Sequence, residues 1–306
     1  MYDVVIVGAG PAGLTAALYL RRAEKSVLLI EKGAFGGQIT YSPKIENYPG
    51  IDSASGNEIA EKLVSQVMDL GADVEVDEVV AIEDRGTTKI VVGKEASYEA
   101  KAVIIATGAK HRMLGLEGEE RFVGEGLSFC AVCDGAFYKG QDVIVVGGGN
   151  SAKQEAILLA KLCRKVVMVQ NLAELTGEKK LSDEVLATEN IEVIYSSLVV
   201  DYLAEGDTLR GVKIKNTESL EKRELTADGV FIAIGLEPDC KAFADVIELD
   251  GWGYAASGED CDTKTPGIFV AGDCRRKKVR QISTATADGV NSALGALDYL
   301  DSLGVS

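Results

Sequence analysis

Apolar residues come in short runs of strand length, and two of these runs open the same longer pattern. Asp3-Val4-Val5-Ile6-Val7 leads into a glycine cluster, then a stretch with helical periodicity, then Val27-Leu28-Leu29-Ile30. The order repeats from Asp142-Val143-Ile144-Val145-Val146, through a second glycine cluster and a second periodic stretch, to Val166-Val167-Met168-Val169. Short apolar runs bounded by turn signals predict buried strands, and the stretches between them predict helices. Two strand–turn–helix–strand units of one kind predict an α/β protein with two Rossmann-like, three-layer dinucleotide-binding domains. Beyond the second unit a strand pattern returns in Thr263 to Cys274, and a long final helix is predicted from Ile282 to Leu300. This return predicts that the second domain is inserted into the first, with 1–114 and 246–306 in one domain and 115–245 in the other.

The two glycine clusters share one spacing. The first reads Gly8-x-Gly10-x-x-Gly13, with Ala12 inside it, and the second reads Gly147-x-Gly149-x-x-Ala152, with Asn150 and Ser151 inside it. The first glycine permits a tight turn, the second lets the backbone approach a pyrophosphate, and the third position must be small for helix and strand to pack. The helix start then offers free N–H groups to the phosphates. One such motif is weak evidence; two in full context at identical spacing are strong. They differ at the end of the second strand. Glu31 stands there in the first copy, an acid suited to ribose hydroxyls, whereas the second copy has Gln170 followed by Asn171.

Charge and composition narrow the partners. The chain has 306 residues and a formal charge of −16, which disfavours nucleic acid and anionic membrane surfaces. No apolar run is long enough for a membrane helix, since Val4 to Leu20 is broken by Gly8, Gly10, Pro11 and Gly13. The start, Met-Tyr-Asp, has no basic region of signal-peptide type, so a cytoplasmic protein is expected. The basic run Arg275-Arg276-Lys277-Lys278, followed by Arg280, reads either as a solvated loop or as a docking patch for an acidic partner.

Of the six cysteines only Cys130 and Cys133 are closely spaced. In a cytosolic chain a lone C-x-x-C reads as redox-active or as half a metal site. With His111 the only histidine and no second cysteine pair, no metal is expected. Asp134, directly after the pair, offers a proton donor and acceptor.

These features together resemble the low-molecular-weight, bacterial-type thioredoxin reductases. The resemblance runs through Gly8 to Gly13, Gly36-Gly37-Gln38, Glu46-Asn47-Tyr48-Pro49-Gly50 and Ala106-Thr107-Gly108. It continues through Cys130-Ala131-Val132-Cys133-Asp134, Gly147 to Ala152, Gly272-Asp273 and Arg280-Gln281. It implies FAD on the first domain, with its pyrophosphate at Gly8, Gly10, Ala12 and Gly13 and its ribose on Glu31. Gly37, Gln38, Asn47, Thr107, Gly108, Gly272, Asp273, Arg280 and Gln281 lie along the cofactor by the same resemblance. It further implies that Cys133 faces the flavin, that Cys130 attacks the disulfide of thioredoxin or a similar protein, and that Asp134 relays a proton. A homodimer whose domains rotate during turnover is implied as well.

One departure bears on the electron donor. Members that use NADPH carry a His-Arg-Arg run and a further arginine after the second strand of the second unit, where guanidinium groups grip the 2′-phosphate. Here Gln170-Asn171-Leu172 and Thr176 stand in those places. Lys165 precedes that strand and starts ~16 Å from Gln170, at the wrong end for a ligand. The donor is therefore expected to be NADH, with Gln170 or Asn171 on the ribose, or a carrier such as ferredoxin, and NADPH is disfavoured. Two other readings stand beside this one: a dithiol oxidase passing electrons to oxygen, and a non-enzymatic flavin-binding redox sensor.

Overall fold

The computed structural model describes residues 1–42, 44–206 and 208–304. Along the chain, β1 (Tyr2–Val7), α1 (Pro11–Arg22), β2 (Val27–Glu31), α2 (Gly56–Asp69) and β3 (Asp73–Val76) come first. Then follow β4 (Val79–Arg85), β5 (Thr88–Gly93), β6 (Ser97–Ile105) and β7 (Ala109–His111). The middle holds β8 (Leu127–Ser128), α3 (Ala131–Asp134), β9 (Asp142–Val146), α4 (Asn150–Ala160), β10 (Lys165–Val169), α5 (Lys179–Ala187) and β11 (Ile191–Ile194). It continues with β12 (Ser197–Glu205), β13 (Thr208–Asn216), β14 (Lys222–Thr226) and β15 (Gly229–Ile232). After β16 (Leu236–Pro238) come β17 (Ile268–Val270) and α6 (Ile282–Leu303). The chain divides into an outer unit, Met1–Lys110 with Glu237–Ser306, and an inner unit, His111–Leu236. The end of the inner unit differs from the boundary at 245 expected from sequence. Cys240 and Phe243 are buried in the outer unit's core with Val5 and Val7, so this segment belongs to the outer unit.

In the outer unit the strands run in the order β3-β2-β1-β6-β5-β4, and β17 pairs with β6. The pairs around β1, and β6 with β17, are parallel; β4, β5 and the first half of β6 form an antiparallel arm. Alternation along β1 feeds both faces of the sheet. Val4 and Ile6 pack with residues of α1, α2 and α6, whereas Val5 and Val7 pack with Ile82, Val91 and Phe243. Each such side chain, fully buried, contributes ~1.5–3 kcal/mol.

The inner unit repeats the scheme on the all-parallel order β11-β10-β9-β15-β8. Val143 and Val145 face Ala131, Ala152, Ala156 and Leu159 on the helical side. Ile144 and Val146 face Val199, Val212 and Ile214, which belong to the antiparallel sheet β12-β13-β14. That sheet replaces the second helical layer. Both units thus have three layers, with the carboxyl ends of β1 and β9 leading straight into the glycine turns.

Candidate active site

In the outer unit Gly8 ends β1 at φ +107°, and a Cβ there would lie 2.4 Å from the Ala106 carbonyl oxygen. Only glycine lets β1 approach β6 this closely while turning into α1. At Gly10, the N-cap of α1, nothing lies within 4 Å of the corresponding position, so the start of the helix opens onto free space. The backbone of Gly13 packs on that of Gly8, and Ala12 is buried beside Gly272. The Glu31 carboxylate, at the end of β2, accepts from Ala9 N–H at 2.8 Å and Gly33 N–H at 2.9 Å. Each oxygen keeps a lone pair for a ligand hydroxyl. The short turn Gly37–Tyr41 is tied to the same loop, because Gly36 N–H donates to the Ala9 carbonyl at 2.8 Å. Gln38 lies exposed on that turn, and the Asn47 amide donates to Gln281 Oε1 at 3.2 Å. The hydroxyl of Thr107 is spent inside the protein, donating to the Asp239 carbonyl at 2.7 Å, and Gly108 follows at φ +71°.

Asp273 has one oxygen, Oδ1, buried without a hydrogen-bond partner. Burial pushes its carboxyl up to about 6, against the pull of Lys277 and Arg280. Arg280 stacks its guanidinium 4.3 Å from the Tyr254 ring centre and donates to the Asp273 carbonyl at 3.4 Å. Beneath this loop lies a residue that sequence reading missed, Asp288 of α6. It accepts from Gly272 N–H at 2.9 Å, from two nitrogens of Arg275 at 2.8 Å each, and from Lys277 at 2.9 Å. Arg275 and Asp288 are each 2% exposed. The basic run is therefore neither a solvated loop nor an intact docking patch. Arg275 and Lys277 turn inward to Asp288, leaving Arg276 and Lys278 exposed.

In the inner unit Cys130 and Cys133 form a disulfide, with Cα atoms 5.3 Å apart. Cys130 caps α3, and its sulfur accepts from Cys133 N–H at 3.2 Å. Ser128, also missed from sequence, links the pair to Asp134. Its hydroxyl donates to Asp134 Oδ2 at 2.5 Å and accepts from Cys130 N–H at 3.1 Å. The other oxygen of Asp134 is buried without a partner. Burial raises the Asp134 carboxyl above its ordinary value, and the Ser128 bond pulls the other way.

The second glycine turn copies the first. Gly147 sits at φ +131°, and a Cβ there would lie 2.5 Å from the Ala233 carbonyl oxygen. Gly149 caps α4, Ser151 is exposed and Ala152 is fully buried. Gln170 takes the position of Glu31: a Cβ on Gly148 would come within 2.3 Å of its side chain. Its environment differs. Glu31 is half-buried, whereas Gln170 is 3% exposed and bonded at both ends, to the Glu174 carbonyl at 2.9 Å and from Asn171 N–H at 3.1 Å. That leaves Asn171, next in the chain, exposed to solvent, as are Glu174 and Thr176 of the same loop. Asn150 accepts from Glu178 N–H at 2.8 Å and holds the end of the loop against α4. Of the neighbouring cations, Arg164 pairs with Asp142, Lys165 with Glu192 and Lys179 with Asp183, while Lys180 is exposed. Lys153 is buried, its amine on the Glu178 carbonyl and Ser182 hydroxyl at 2.8 and 3.1 Å.

Two units with the same glycine turn, one of them carrying a closely spaced cysteine pair beside a buried carboxyl, define a dinucleotide-linked disulfide oxidoreductase. Residues 2–289 match the pyridine nucleotide-disulphide oxidoreductase family, and the chain belongs to it. It is 42% identical over 303 residues to a thioredoxin reductase of Listeria monocytogenes, covering 99% of this chain and 95% of that protein. It is 39% identical to a 34.2 kDa protein in the rubredoxin operon of Clostridium pasteurianum, covering 97% of each. The crystal structure of thioredoxin reductase from Streptococcus pyogenes superposes with a TM-score of 0.92 at 42% identity, covering 99% of both chains.

Proposed function

We propose that this protein reduces the disulfide of thioredoxin or a thioredoxin-like protein, using FAD on the outer unit and the Cys130–Cys133 pair on the inner one. The observation that carries the reading is the cysteine pair itself, joined through Ser128 to the buried Asp134. The names borne by the relatives from Listeria and Streptococcus support it. The outer site fits FAD: space at Gly10 suits a pyrophosphate, Glu31 suits the ribose, and the unpartnered Asp273 Oδ1 suits a hydroxyl of the ribityl chain. Bound there, FAD supplies two-electron chemistry between a donor and a disulfide.

The chain's own residues do the thiol chemistry. In the reduced pair Cys130, as thiolate, attacks one sulfur of the partner's disulfide and forms a mixed disulfide. Cys133 then attacks Cys130, restoring the 130–133 bond and releasing the second partner thiol. Asp134, held protonated more readily than a solvated acid, gives a proton to a departing thiolate and recovers it from the next thiol. The cytosol and a homodimer complete this reading.

Ser128→Ala tests the relay. Without the Ser128 bond the proton affinity of Asp134 rises further, so the pH limb belonging to Asp134 moves upward. Rates of disulfide reduction across pH check this; an unmoved limb removes Ser128 from the relay.

The donor, in this reading, brings no 2′-phosphate. Residues 170–178 include Glu174 and Glu178 and no cation; Arg164, Lys165 and Lys179 are each paired with an acid, and Lys180 is exposed. NADH fits these conditions, and Asn171 is the better placed of the two residues for its ribose. Anaerobic titration of the flavin absorbance with NADH, NADPH and reduced ferredoxin tests it. NADH is expected to bleach the band at concentrations at least ~10-fold below NADPH, since an unmatched phosphate forfeits charge-assisted bonds. Equal or better use of NADPH sinks the reading, and bleaching by ferredoxin alone removes nicotinamide from it.

A further inference from the structure

Glu155 stands on α4, three residues after Ala152 of the second glycine turn. Ala152, Ala156 and Leu159, one turn or less from Glu155, share a buried cluster with Ala131 of α3. Gly135, just past α3, packs against Leu159 and Leu162. Glu155 thus lies on the face of α4 that supports the turn carrying the two cysteines. Its Oε2 is buried without a hydrogen-bond partner, and the backbone N–H of Ala131 favours its charge. Ala131 directly follows Cys130, whose sulfur takes the N–H of Cys133 in the same turn. A carboxylate and a cysteine sulfur therefore draw on the N–H groups of one four-residue turn.

We infer that Glu155 is a positioning residue of the dithiol, whose charge competes with the Cys130 thiolate and sets the pair's reduction potential. This rests on the redox role proposed above for Cys130–Cys133. A negative carboxylate beside the turn disfavours the thiolate, so reducing the disulfide draws a proton onto Glu155. In balanced form, the disulfide and ionised Glu155 take up two electrons and two protons, giving one thiolate, one thiol and protonated Glu155. The two electrons are those that FAD held on the outer unit would deliver; in the test below dithiothreitol supplies them.

Burial holds the Glu155 carboxyl up near 7, so the competition switches within the working range. The titratable groups around it are few. Asp134 and the two cysteines lie on the same turn. Tyr138 and Cys163 are pushed up to about 12 and about 11 by burial, so neither ionises near neutrality. Lys153, the cation on α4 itself, is turned to Glu178 and Ser182. Burial raises the proton affinity of Glu155 and the Ala131 N–H lowers it.

The test is equilibration of the holoprotein with dithiothreitol buffers across neutral pH, reading the Cys130–Cys133 state by alkylation and mass. In Glu155→Gln the uncharged amide keeps the shape and an acceptor for Ala131. Above neutral pH its pair is expected to be at least ~10-fold easier to reduce than wild type, about 30 mV. Below neutral pH the two proteins converge, because wild-type Glu155 is then protonated, and Glu155→Asp keeps the wild-type pH dependence. A Glu155→Gln protein with the wild-type potential at every pH overturns the proposal. So does a pH break that persists in it, which would belong to Asp134. If Glu155→Gln fails to fold, the thiolate absorbance of reduced wild-type protein decides: the proposal requires a Cys130 titration in two steps, and a single step overturns it. These measurements need neither thioredoxin nor the nicotinamide donor. A protein that shows the Glu155 effect but does not reduce thioredoxin loses the proposed function and keeps this inference.

Discussion

Cys133→Ser is expected to lower disulfide-reduction turnover by about four orders of magnitude while leaving the flavin bound, and Cys130→Ser should do the same. The reason is stoichiometric. A disulfide partner accepts two electrons only if two thiols end up bonded to each other, and a hydroxyl cannot replace either sulfur. The pair is also isolated: the other four cysteines are free and buried, so no substitute thiol can complete the exchange. The proposed flavin cradle is built from outer-unit residues, Gly8 to Gly13, Glu31 and Asp273, and neither cysteine is among them. Steady-state reduction of a thioredoxin disulfide, with the visible spectrum of the purified variants, provides the check. Full turnover by Cys133→Ser would contradict the mechanism; loss of the yellow colour would mean that the inner pair supports the outer fold.

Asp288→Ala should cost the outer unit ~3–5 kcal/mol. Asp288 is the common partner of Arg275, Lys277 and the Gly272 N–H, all buried or nearly so. Removing it strands a guanidinium and an ammonium away from water, and an uncompensated buried charge costs far more than a surface pair yields. It also frees the backbone that carries Asp273, so flavin affinity should fall with stability. The paired carboxylate is held below its ordinary value, so its contribution is full above about pH 4 and is lost as pH falls through the lower folded value. Thermal unfolding followed by released flavin fluorescence measures both effects. An unchanged midpoint would mean that Arg275 finds another acid, and Glu259, already 3.2 Å from it, is the residue to remove next.

The fold was legible in the sequence because its information is periodic. Val4 to Val7 and Val143 to Val146 announce buried strands, and the glycines after them announce turns that few other residues can make. The cysteine pair was legible for a similar reason: spacing along the chain is part of its chemistry. What stayed hidden depends on the direction of a side chain. Arg275 to Arg280 is a run of positive charge in one dimension, and folding sends alternate members inward to an acid on α6 that no motif marks. Ser128 lies two residues before Cys130 and looks ordinary until its hydroxyl meets Asp134. Glu155 sits in a nucleotide-type motif and yet faces the cysteine turn. Gln170 raised the question of a ribose ligand; its two internal bonds turn that question toward Asn171.

The burial of Cys163, Cys240, Cys261 and Cys274 has a practical side. Burial pushes the Cys163 and Cys261 thiols up to about 11 and about 12. At neutral pH only about one Cys163 side chain in ten thousand would be ionised, even before access is considered. Cys130 and Cys133 are therefore the cysteines that the native protein leaves part-exposed. With Cys133 replaced, Cys130 becomes a bait that can be crosslinked to whatever disulfide protein docks there. The fold has already silenced the background that such a capture experiment usually has to engineer away.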